Sequence, residues 1–167
     1  MAPRVIAAAV ITCSNRSAAG ERADDSGQLL ADAVAAWGYQ VLVRQVVPDD
    51  VSAIRTAVEQ AVAGGARLVL TTGGTGVTPT DVTPEAVAPL LERPIPGISE
   101  RIRAVNVDRV PTAVLSRGVS GMVGNALVVT LPGSPGGVRD ALGVLEPLVG
   151  HVLDQAAGGD HRPGGGV

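Results

Sequence analysis

Residues 68–86 read LVLTTGGTGVTPTDVTPEA, and the rest of the chain can be understood from this stretch. It opens with Leu68-Val69-Leu70, an apolar run of the length of a buried strand. The strand runs into Thr71-Thr72-Gly73-Gly74-Thr75-Gly76. Three glycines in four residues permit positive φ and close approach of the backbone to a ligand, so successive N–H groups can line an anion site. The pattern predicts a strand followed by a phosphate-binding loop.

A carboxylate and a helix start follow the glycine loop. Asp81 comes after a short spacer, and Thr83-Pro84-Glu85 has the residue types of a helix N-terminus, with Thr83 as the predicted N-cap. A phosphate in the loop would have a carboxylate at its edge to hold a metal ion. The alternative is a plain glycine-rich turn, but such a turn needs neither the threonines nor the carboxylate.

Two common nucleotide motifs are absent. A Walker A loop ends in Gly-Lys-Ser/Thr, and all thirteen basic residues of this chain are arginine. The dinucleotide pattern G-x-G-x-x-G fails because Pro79 stands where the third glycine belongs. A P-loop enzyme, Schiff-base chemistry and a redox Rossmann enzyme are therefore disfavoured.

Composition places the chain among single-domain proteins. Its 167 residues are enough for a substantial core, which we expect over residues 1–157, with a flexible glycine-rich tail at 158–167. The net charge of −3 predicts binding to neither nucleic acid nor an anionic membrane surface. A single cysteine, Cys13, and two histidines exclude an internal disulfide and a zinc-ligand set, so a cytoplasmic location is expected.

The first half of the chain alternates strands and helices. The apolar run Val5 to Cys13 is interpreted as a buried strand rather than a signal peptide, because it is short and passes directly into polar residues. A helix through Leu30 and Trp37, a strand over Tyr39 to Val47 and a helix from Val51 to Val62 follow. The β-α-β-α-β order predicts an α/β fold with a parallel, doubly wound sheet.

Three carboxylates lie near the predicted ligand edge of that sheet, namely Asp25, Asp49 and Asp81. Each has the alternative role of helix N-cap, and one of the adjacent pair Asp49 and Asp50 can cap while the other faces a ligand.

In the second half of the chain, residues Val87 to Arg93 are predicted to form the last part of a helix. A further helix is predicted over Ile98 to Val105, and an extended segment over Val110 to Ser116. Arg101 and Arg103 are expected on a solvated helix face, whereas Arg117 beside Gly118 is a candidate phosphate clamp. The last strand, Ala126 to Leu131, enters a second glycine loop, PGSPGG at residues 132–137. Ser134 is placed to cap the following helix, which Pro147 should kink or restart.

Four motifs together resemble one known family. TTGGTG, DVTPEA, PTAVLSRGVSG and LPGSPGGVRD occur in an order similar to that of the molybdopterin-binding family, which contains the bacterial Mog and MoaB proteins and the G domains of gephyrin and its plant counterpart. The resemblance extends from the first strand to about Gln155, and the SRG and LPGSPGG stretches favour the Mog branch. It implies a three-layer α/β/α fold and a homotrimer.

The resemblance also implies a reaction. AMP passes from Mg²⁺-ATP to the terminal phosphate of molybdopterin, giving adenylylated molybdopterin and pyrophosphate, and the product is handed to a molybdenum-insertion protein. Asp49 and Asp81 match the family's essential acidic, magnesium-holding positions. The matching substrate and nucleotide positions are Ser14, Asp25, Ser26, Gly27, Thr72, Gly73, Gly74, Thr75, Gly76, Ser116, Arg117, Pro132, Gly133, Ser134, Pro135 and Gly136. Many relatives have aspartate where this chain has Asn15, so Asn15 is assigned no metal or base role.

One alternative within the family stays open at the level of sequence. A MoaB-like trimer that binds the pterin without adenylylating it would share both glycine loops. Whether copper is carried on the pterin dithiolene is also open, because the chain offers no evident copper site and Cys13 is interpreted as a small core residue.

Overall fold

A six-stranded sheet is the middle layer of the protein in the computed structural model, which describes residues 4–159. In chain order the strands are β1 (Ala7–Cys13), β2 (Gln40–Val47), β3 (Leu68–Thr72), β4 (Arg93–Pro94), β5 (Ser120–Val123) and β6 (Ala126–Leu131). In space the order is β2-β1-β3-β6-β5-β4. The first four of these are parallel, while β5 and β4 each run antiparallel to their neighbour. The predicted mostly parallel sheet is confirmed.

Helices cover both faces of the sheet. They are α1 (Asn15–Ala18), α2 (Asp25–Ala36), α3 (Val51–Ala63), α4 (Thr83–Val87), α5 (Pro96–Ala104) and α6 (Pro135–Ala156), with 3-10 turns at Ala88–Leu90 and Pro111–Leu115. One core packs α2, α5 and α6 against the sheet, and a second core packs α3 and α4 against the opposite face. The three-layer arrangement is therefore as expected. No helix within residues 4–159 is long and apolar enough to cross a bilayer.

The central strands are apolar on both sides because both sides are buried. In β1, Ala8 and Val10 belong to one core, whereas Ala9 and Ile11 belong to the other. Successive side chains of a strand point to opposite faces, so a strand covered on both faces has no polar positions to alternate. This explains why continuous apolar runs identified β1, β3 and β6.

Strand order creates a crevice between β1 and β3. From β1 the chain turns towards β2, and from β3 it turns the other way, towards β6. In an open parallel sheet, ligands bind beyond the carboxyl ends of the strands at such a point of reversal. The first glycine loop leaves β3 at this position.

Helix α4 corrects two predictions. Thr83 is not the N-cap, which is Val82, because the Thr83 hydroxyl donates to the carbonyl of Gly73. The helix also ends at Val87 rather than near Arg93. Pro89 has no N–H to offer the Glu85 carbonyl, and Arg55 donates to that carbonyl instead.

Three further predictions are wrong in detail. The segment predicted to be extended, Val110 to Ser116, forms the 3-10 turn Pro111–Leu115, since proline suits the first position of a helical turn. Helix α6 continues through Pro147, so the restart is wrong and the kink stays a prediction. Arg103 is half-buried rather than solvated, and it donates to the carbonyls of Ser116 and Gly118. Of the predicted tail at 158–167, all but Gly158 and Gly159 lies outside the described residues.

Candidate active site at the carboxyl edge of the sheet

The loop Gly73–Gly76 requires glycine at its first two positions. Gly73 and Gly74 have φ values of 95° and 68°. A Cβ on Gly73 would lie 2.4 Å from the Cys13 carbonyl oxygen, and one on Gly74 would lie 2.3 Å from Thr83 Oγ1. No other residue type fits these positions without moving the backbone of β1 or the start of α4.

The second glycine loop packs directly against the first. A Cβ on Gly133 would lie 3.1 Å from the Cα of Gly73. Thr72 Oγ1 donates to the Pro132 carbonyl at 2.7 Å, and Ser26 Oγ donates to the Gly133 carbonyl at 2.8 Å. Ser134 caps α6 as predicted, accepting from the Gly137 N–H at 3.1 Å. The ends of β3 and β6 thus form one continuous glycine-rich surface.

Asp49 holds one of its carboxylate oxygens firmly and leaves the other without a partner in residues 4–159. Its Oδ2 accepts from the Asn15 N–H at 3.0 Å, and its own N–H donates to Asn15 Oδ1 at 2.8 Å. Its Oδ1 is buried and has no hydrogen-bond partner within the described residues. The neighbouring Asp50 caps α3 by accepting from the Ala53 N–H. Of this adjacent pair Asp50 is therefore the N-cap, while Asp49 lines the first cavity, and its contact with a ligand stays a prediction.

Asp81 stands at the rim of the first loop. Its Oδ2 accepts from the N–H and the Oγ1 of Thr78, at 3.0 and 2.8 Å. A Cβ on Gly76 would lie 2.7 Å from the same oxygen. Asp49 is adjacent to Gly74 in the same way, because a Cβ on Gly74 would lie 3.2 Å from Asp49 Oδ1. The two carboxylates therefore flank successive glycines of the loop.

A first cavity of about 310 Å³ opens between β1, β3 and β6. The residues predicted from sequence that line it are Ser14, Asp25, Ser26, Asp49, Thr72, Gly73, Gly74, Asp81, Gly133, Ser134 and Pro135. Sequence reasoning missed Thr12, Cys13, Ser17, Arg22, Ala23 and Asp24. Asp24 could have been predicted as an N-cap, because it stands three residues before Gly27. In the structure it caps α2 by accepting from the Gly27 N–H.

A second cavity of about 770 Å³ adjoins the first. Its predicted lining residues are Gly74, Thr75, Gly76, Asp81, Ser116, Pro132, Gly133, Ser134 and Gly136. The wall that sequence reasoning missed comes from α5, the 3-10 turn and α6, and includes Ile102, Arg103, Asn106, Arg109, Val110, Leu115, Arg139 and Asp140. Four residues line both cavities, namely Gly74, Asp81, Gly133 and Ser134.

Two predicted site residues, Gly27 and Arg117, line neither cavity. Gly27 lies behind the first cavity, where a Cβ would be 2.2 Å from Asp24 Oδ2. Arg117 donates from Nε to the Gly76 carbonyl at 2.8 Å and from Nη2 to the Asp81 carbonyl at 2.7 Å. It also pairs with Glu85, and this hydrogen bond holds the pKa of the Glu85 carboxyl below its ordinary value. The phosphate contact of Arg117 stays a prediction.

Neither a thiolate nor a dense ligand cluster is present at this edge. Burial of Cys13 raises the pKa of its thiol to about 12, so at neutral pH it is a neutral core group. Within residues 4–159, no three His, Cys, Asp or Glu side chains are grouped to hold a metal ion. A cation here would be of the type held by one or two carboxylates and by ligand oxygens.

Comparison with known proteins agrees with this architecture. Residues 9–151 match the family described as "Probable molybdopterin binding domain". The chain belongs to this family. A curated molybdopterin adenylyltransferase from Pyrococcus furiosus is 36% identical over 93% of this chain and 94% of its own length.

Solved structures of the molybdopterin-binding family share the fold. A Mog protein of molybdopterin biosynthesis from Mycobacterium ulcerans is 43% identical, with a TM-score of 0.87 over 91% of this chain and 99% of its own. The enzyme MoaB from Thermus thermophilus is 36% identical, with a TM-score of 0.86 over 95% of this chain and 100% of its own. The chain spans about half the length of two bifunctional molybdenum cofactor biosynthesis proteins that it also matches, 48% of one and 49% of the other.

Proposed function

We propose that the protein is a molybdopterin adenylyltransferase of molybdenum cofactor biosynthesis. It transfers AMP from ATP to the terminal phosphate of molybdopterin and releases pyrophosphate. The observation that carries this proposal is the junction of the two cavities at Gly74, Asp81, Gly133 and Ser134. A reaction between two large anionic substrates needs two adjoining compartments with the reacting phosphates at their junction, and both glycine loops border that junction.

The residues present suit this chemistry. An oxygen of the pterin phosphate attacks the α-phosphorus of ATP, a P–O bond forms, and the bond to the leaving pyrophosphate breaks. The attacking phosphate monoester is already anionic at neutral pH, so the reaction needs no general base. Within the described residues, no histidine lines either cavity. Positioning and charge neutralisation are what the protein must supply.

The glycine loops supply the positioning. The Gly73 N–H donates to the Leu131 carbonyl at 3.1 Å, so the backbone N–H groups of Gly74–Gly76, together with the hydroxyls of Thr75 and Ser134, are the donors offered to phosphate oxygens at the junction. Because Gly73 and Gly133 pack against each other, the loops hold a fixed spacing. The two substrates therefore meet a preorganised surface rather than one that must close around them.

The buried Oδ1 of Asp49 indicates where a magnesium ion fits. An unpartnered buried carboxylate oxygen is costly unless a ligand satisfies it, and a hard cation is its natural partner. Asp49 and Asp81 would hold Mg²⁺ together with substrate phosphate oxygens. When bound, the ion would neutralise the charge that develops on the phosphates during transfer.

A MoaB-like protein that binds the pterin without forming product is the alternative. Relatives with both names match this chain, and the solved Mog structure is the more similar of the two, at 43% against 36% identity. This difference between the two solved structures favours the Mog branch, while the curated relatives named adenylyltransferase and protein B are about equally similar to this chain, at 35–36% and 36–38% identity. We also infer that residues 1–157 form the one domain that carries the site, that the protein acts as a homotrimer in the cytoplasm, and that its product passes to a molybdenum-insertion protein.

The deciding experiment is incubation of the purified protein with molybdopterin and ATP, with and without Mg²⁺, followed by assay of adenylylated pterin and pyrophosphate. We expect magnesium-dependent product that falls at least about a hundredfold in Asp49→Ala and in Asp81→Ala. Asp50→Ser is the matched control, because it keeps the α3 cap, removes a neighbouring charge, and should keep activity.

Each other outcome has a defined meaning. Tight pterin binding without product would assign the protein to the MoaB-like alternative. Full turnover of Asp81→Asn at saturating Mg²⁺ would show that Asp81 does not act through the metal.

A further inference from the structure

We propose that Arg117 is a positioning residue that fixes the Asp81 loop, defined as residues 76–81, in the geometry needed for adenylyl transfer. This inference deepens the proposed function and rests on it. The resemblance to relatives implied a direct role in binding for Arg117, whereas the geometry points to a role exerted through Asp81.

A single guanidinium joins the two ends of the Asp81 loop. Arg117 donates to the carbonyl of Gly76, where the loop begins, and to the carbonyl of Asp81, where it ends. The Arg117 backbone N–H donates to the Thr75 carbonyl at 2.8 Å. A third side-chain contact, to Glu85, ties the same guanidinium to α4.

Beyond the loop, Thr83 at the start of α4 donates from its N–H to the Gly74 carbonyl at 3.0 Å and from its hydroxyl to the Gly73 carbonyl at 2.9 Å, but these contacts hold residue 83 and not residues 76–81. The intervening residues 77–80 are exposed, and Val77 is 67% exposed although it is apolar. The hydrogen bonds within the loop join Thr78 to Thr80 and to Asp81, so they give the loop its shape but do not attach it to the core. Among the described residues, Arg117 is therefore the side chain from outside the loop that holds both Gly76 and Asp81, and the position of Asp81 relative to the cavity junction depends on it.

Arg117 is itself held firmly. Arg103 of α5 donates to the carbonyls of Ser116 and Gly118, on both sides of Arg117. A Cβ on Gly118 would lie 2.8 Å from the Thr130 carbonyl oxygen, so the segment packs tightly against β6. Arg103, which lines the second cavity, is thereby connected to Asp81 through Arg117.

Only arginine can make this set of contacts. Its planar guanidinium presents separate N–H groups to acceptors in different directions, whereas a lysine ammonium is a compact charge that cannot reach both carbonyls and Glu85 together. All three guanidinium nitrogens of Arg117 already donate to protein acceptors, and Arg117 lines neither cavity. This arrangement favours support of the loop over direct contact with phosphate.

The test compares Arg117→Lys and Arg117→Gln with Arg55→Lys. Arg55 is a matched control because it also donates to carbonyls of α4, those of Glu85 and Ala86, without touching the Asp81 loop. The first measurement is amide hydrogen exchange in the ligand-free protein. We expect the amides of Thr78 and Asp81 to exchange about tenfold faster in both Arg117 variants, with β3 unchanged, and to keep wild-type rates in Arg55→Lys.

The second measurement separates kcat from KM in the pyrophosphate-release assay. A displaced Asp81 should lower kcat about tenfold or more and change KM for ATP and pterin much less. If Arg117 instead contacts substrate phosphate, KM rises and loop exchange stays at the wild-type rate. That result would overturn the proposal, and so would wild-type exchange of Thr78 and Asp81 in Arg117→Lys and Arg117→Gln.

The two proposals can fail separately. A wild-type protein that forms no product contradicts adenylyl transfer, and the exchange comparison then decides on its own whether Arg117 fixes the loop. If Arg117→Gln does not fold, Arg117→Lys keeps the positive charge and decides the question.

Discussion

Asp49 and Asn15 hold each other by a reciprocal pair of hydrogen bonds between backbone and side chain. This contact joins the ends of β1 and β2 and leaves Asp49 Oδ1 buried without a hydrogen-bond partner in the part of the chain that the structure describes, beside Gly74 of the first loop. The adjacency of Asp49 and Asp50 predicted that one of them could cap α3 while the other faced a ligand, and the structure assigns the cap to Asp50. The partner of Asp49 was not predictable, because it lies 34 residues away along the chain.

Substitution of Asn15 tests which of its side-chain atoms stabilises the folded protein. Asn15→Ala removes the acceptor of the Asp49 N–H, and we expect a loss of about 1 kcal/mol, or about 2–4 °C in Tm. Asn15→Asp keeps an acceptor oxygen at the same place and should lose less than half as much. Thermal unfolding followed by circular dichroism measures both, and equal losses would indicate that the neutral amide, rather than the oxygen, is required.

Cys13 predicts a pH dependence of stability. Burial raises the pKa of this thiol from 9.0 to about 12 in the folded protein. The folded state therefore keeps the proton that the unfolded state loses, and the contribution of Cys13 is complete below pH 9 and is lost as the pH rises to about 12. Cys13→Ala lacks this term.

The measurement for Cys13 is the free energy of unfolding in urea at pH 8 and pH 10 for both proteins. The wild type should lose more stability than Cys13→Ala over this interval, and parallel losses would contradict the burial argument. The folded wild type should also resist alkylation at pH 8.

Helices with a side-chain cap carry a local signal, whereas for α4 the start near Thr83 was predicted but the N-cap residue and the C-terminal end were wrong. Helices α3 and α6 begin at Asp50 and Ser134, whose side chains accept from N–H groups three residues ahead, so the signal lies within one turn. The limits of α4 depend instead on Gly73 and Arg55, which come from other elements. The short strand β4 forms only because β5 lies beside it.

Replacement of a glycine by alanine should destabilise the protein by different amounts at different positions. Gly73 and Gly20 both have positive φ, but a Cβ on Gly73 meets the Cys13 carbonyl at 2.4 Å, whereas one on Gly20 meets nothing within 4 Å. Gly20→Ala carries only the strain of the left-handed conformation, about 1 kcal/mol. Gly73→Ala adds a backbone clash and should lose about 3 kcal/mol or more in urea unfolding. Equal losses would mean that the loop can move away from β1.

At the scale of the whole molecule, several large apolar side chains are exposed beside the second cavity. Val110, Val114 and Leu115 are 45%, 58% and 50% exposed, and Val110 immediately precedes the 3-10 turn that carries the other two. Clustered apolar exposure of this kind is typical of a surface that another protein chain covers. The family resemblance implies a homotrimer, and this surface is where we expect subunits to meet.

Sedimentation equilibrium tests the assembly. The wild type should have three times the chain mass at micromolar concentration, and Val114→Glu should lower that mass by placing a charge in the subunit contact. Leu42→Glu is the control, because Leu42 is 48% exposed on the edge strand β2, away from this cluster. A monomeric wild type would contradict the trimer.

Much of this protein follows from its sequence alone because the relevant information is local. Apolar runs mark the strands that are buried on both faces, glycine marks the positions where a backbone or carboxylate approaches too closely for a side chain, and the order of strands and helices predicts a doubly wound sheet. The glycine loops, Asp49 and Asp81 belong to this class. Each could be proposed from its neighbours along the chain.

Only the tertiary structure decided which distant residues meet. The wall of the second cavity combines α5 and α6, whose residues looked like ordinary solvated or core positions in the sequence. Arg117 was expected to contact a phosphate, yet it bonds the carbonyls of Gly76 and Asp81, 41 and 36 residues away. Such contacts depend on strand order and on side-chain direction, which are properties of the packed chain that no local pattern encodes.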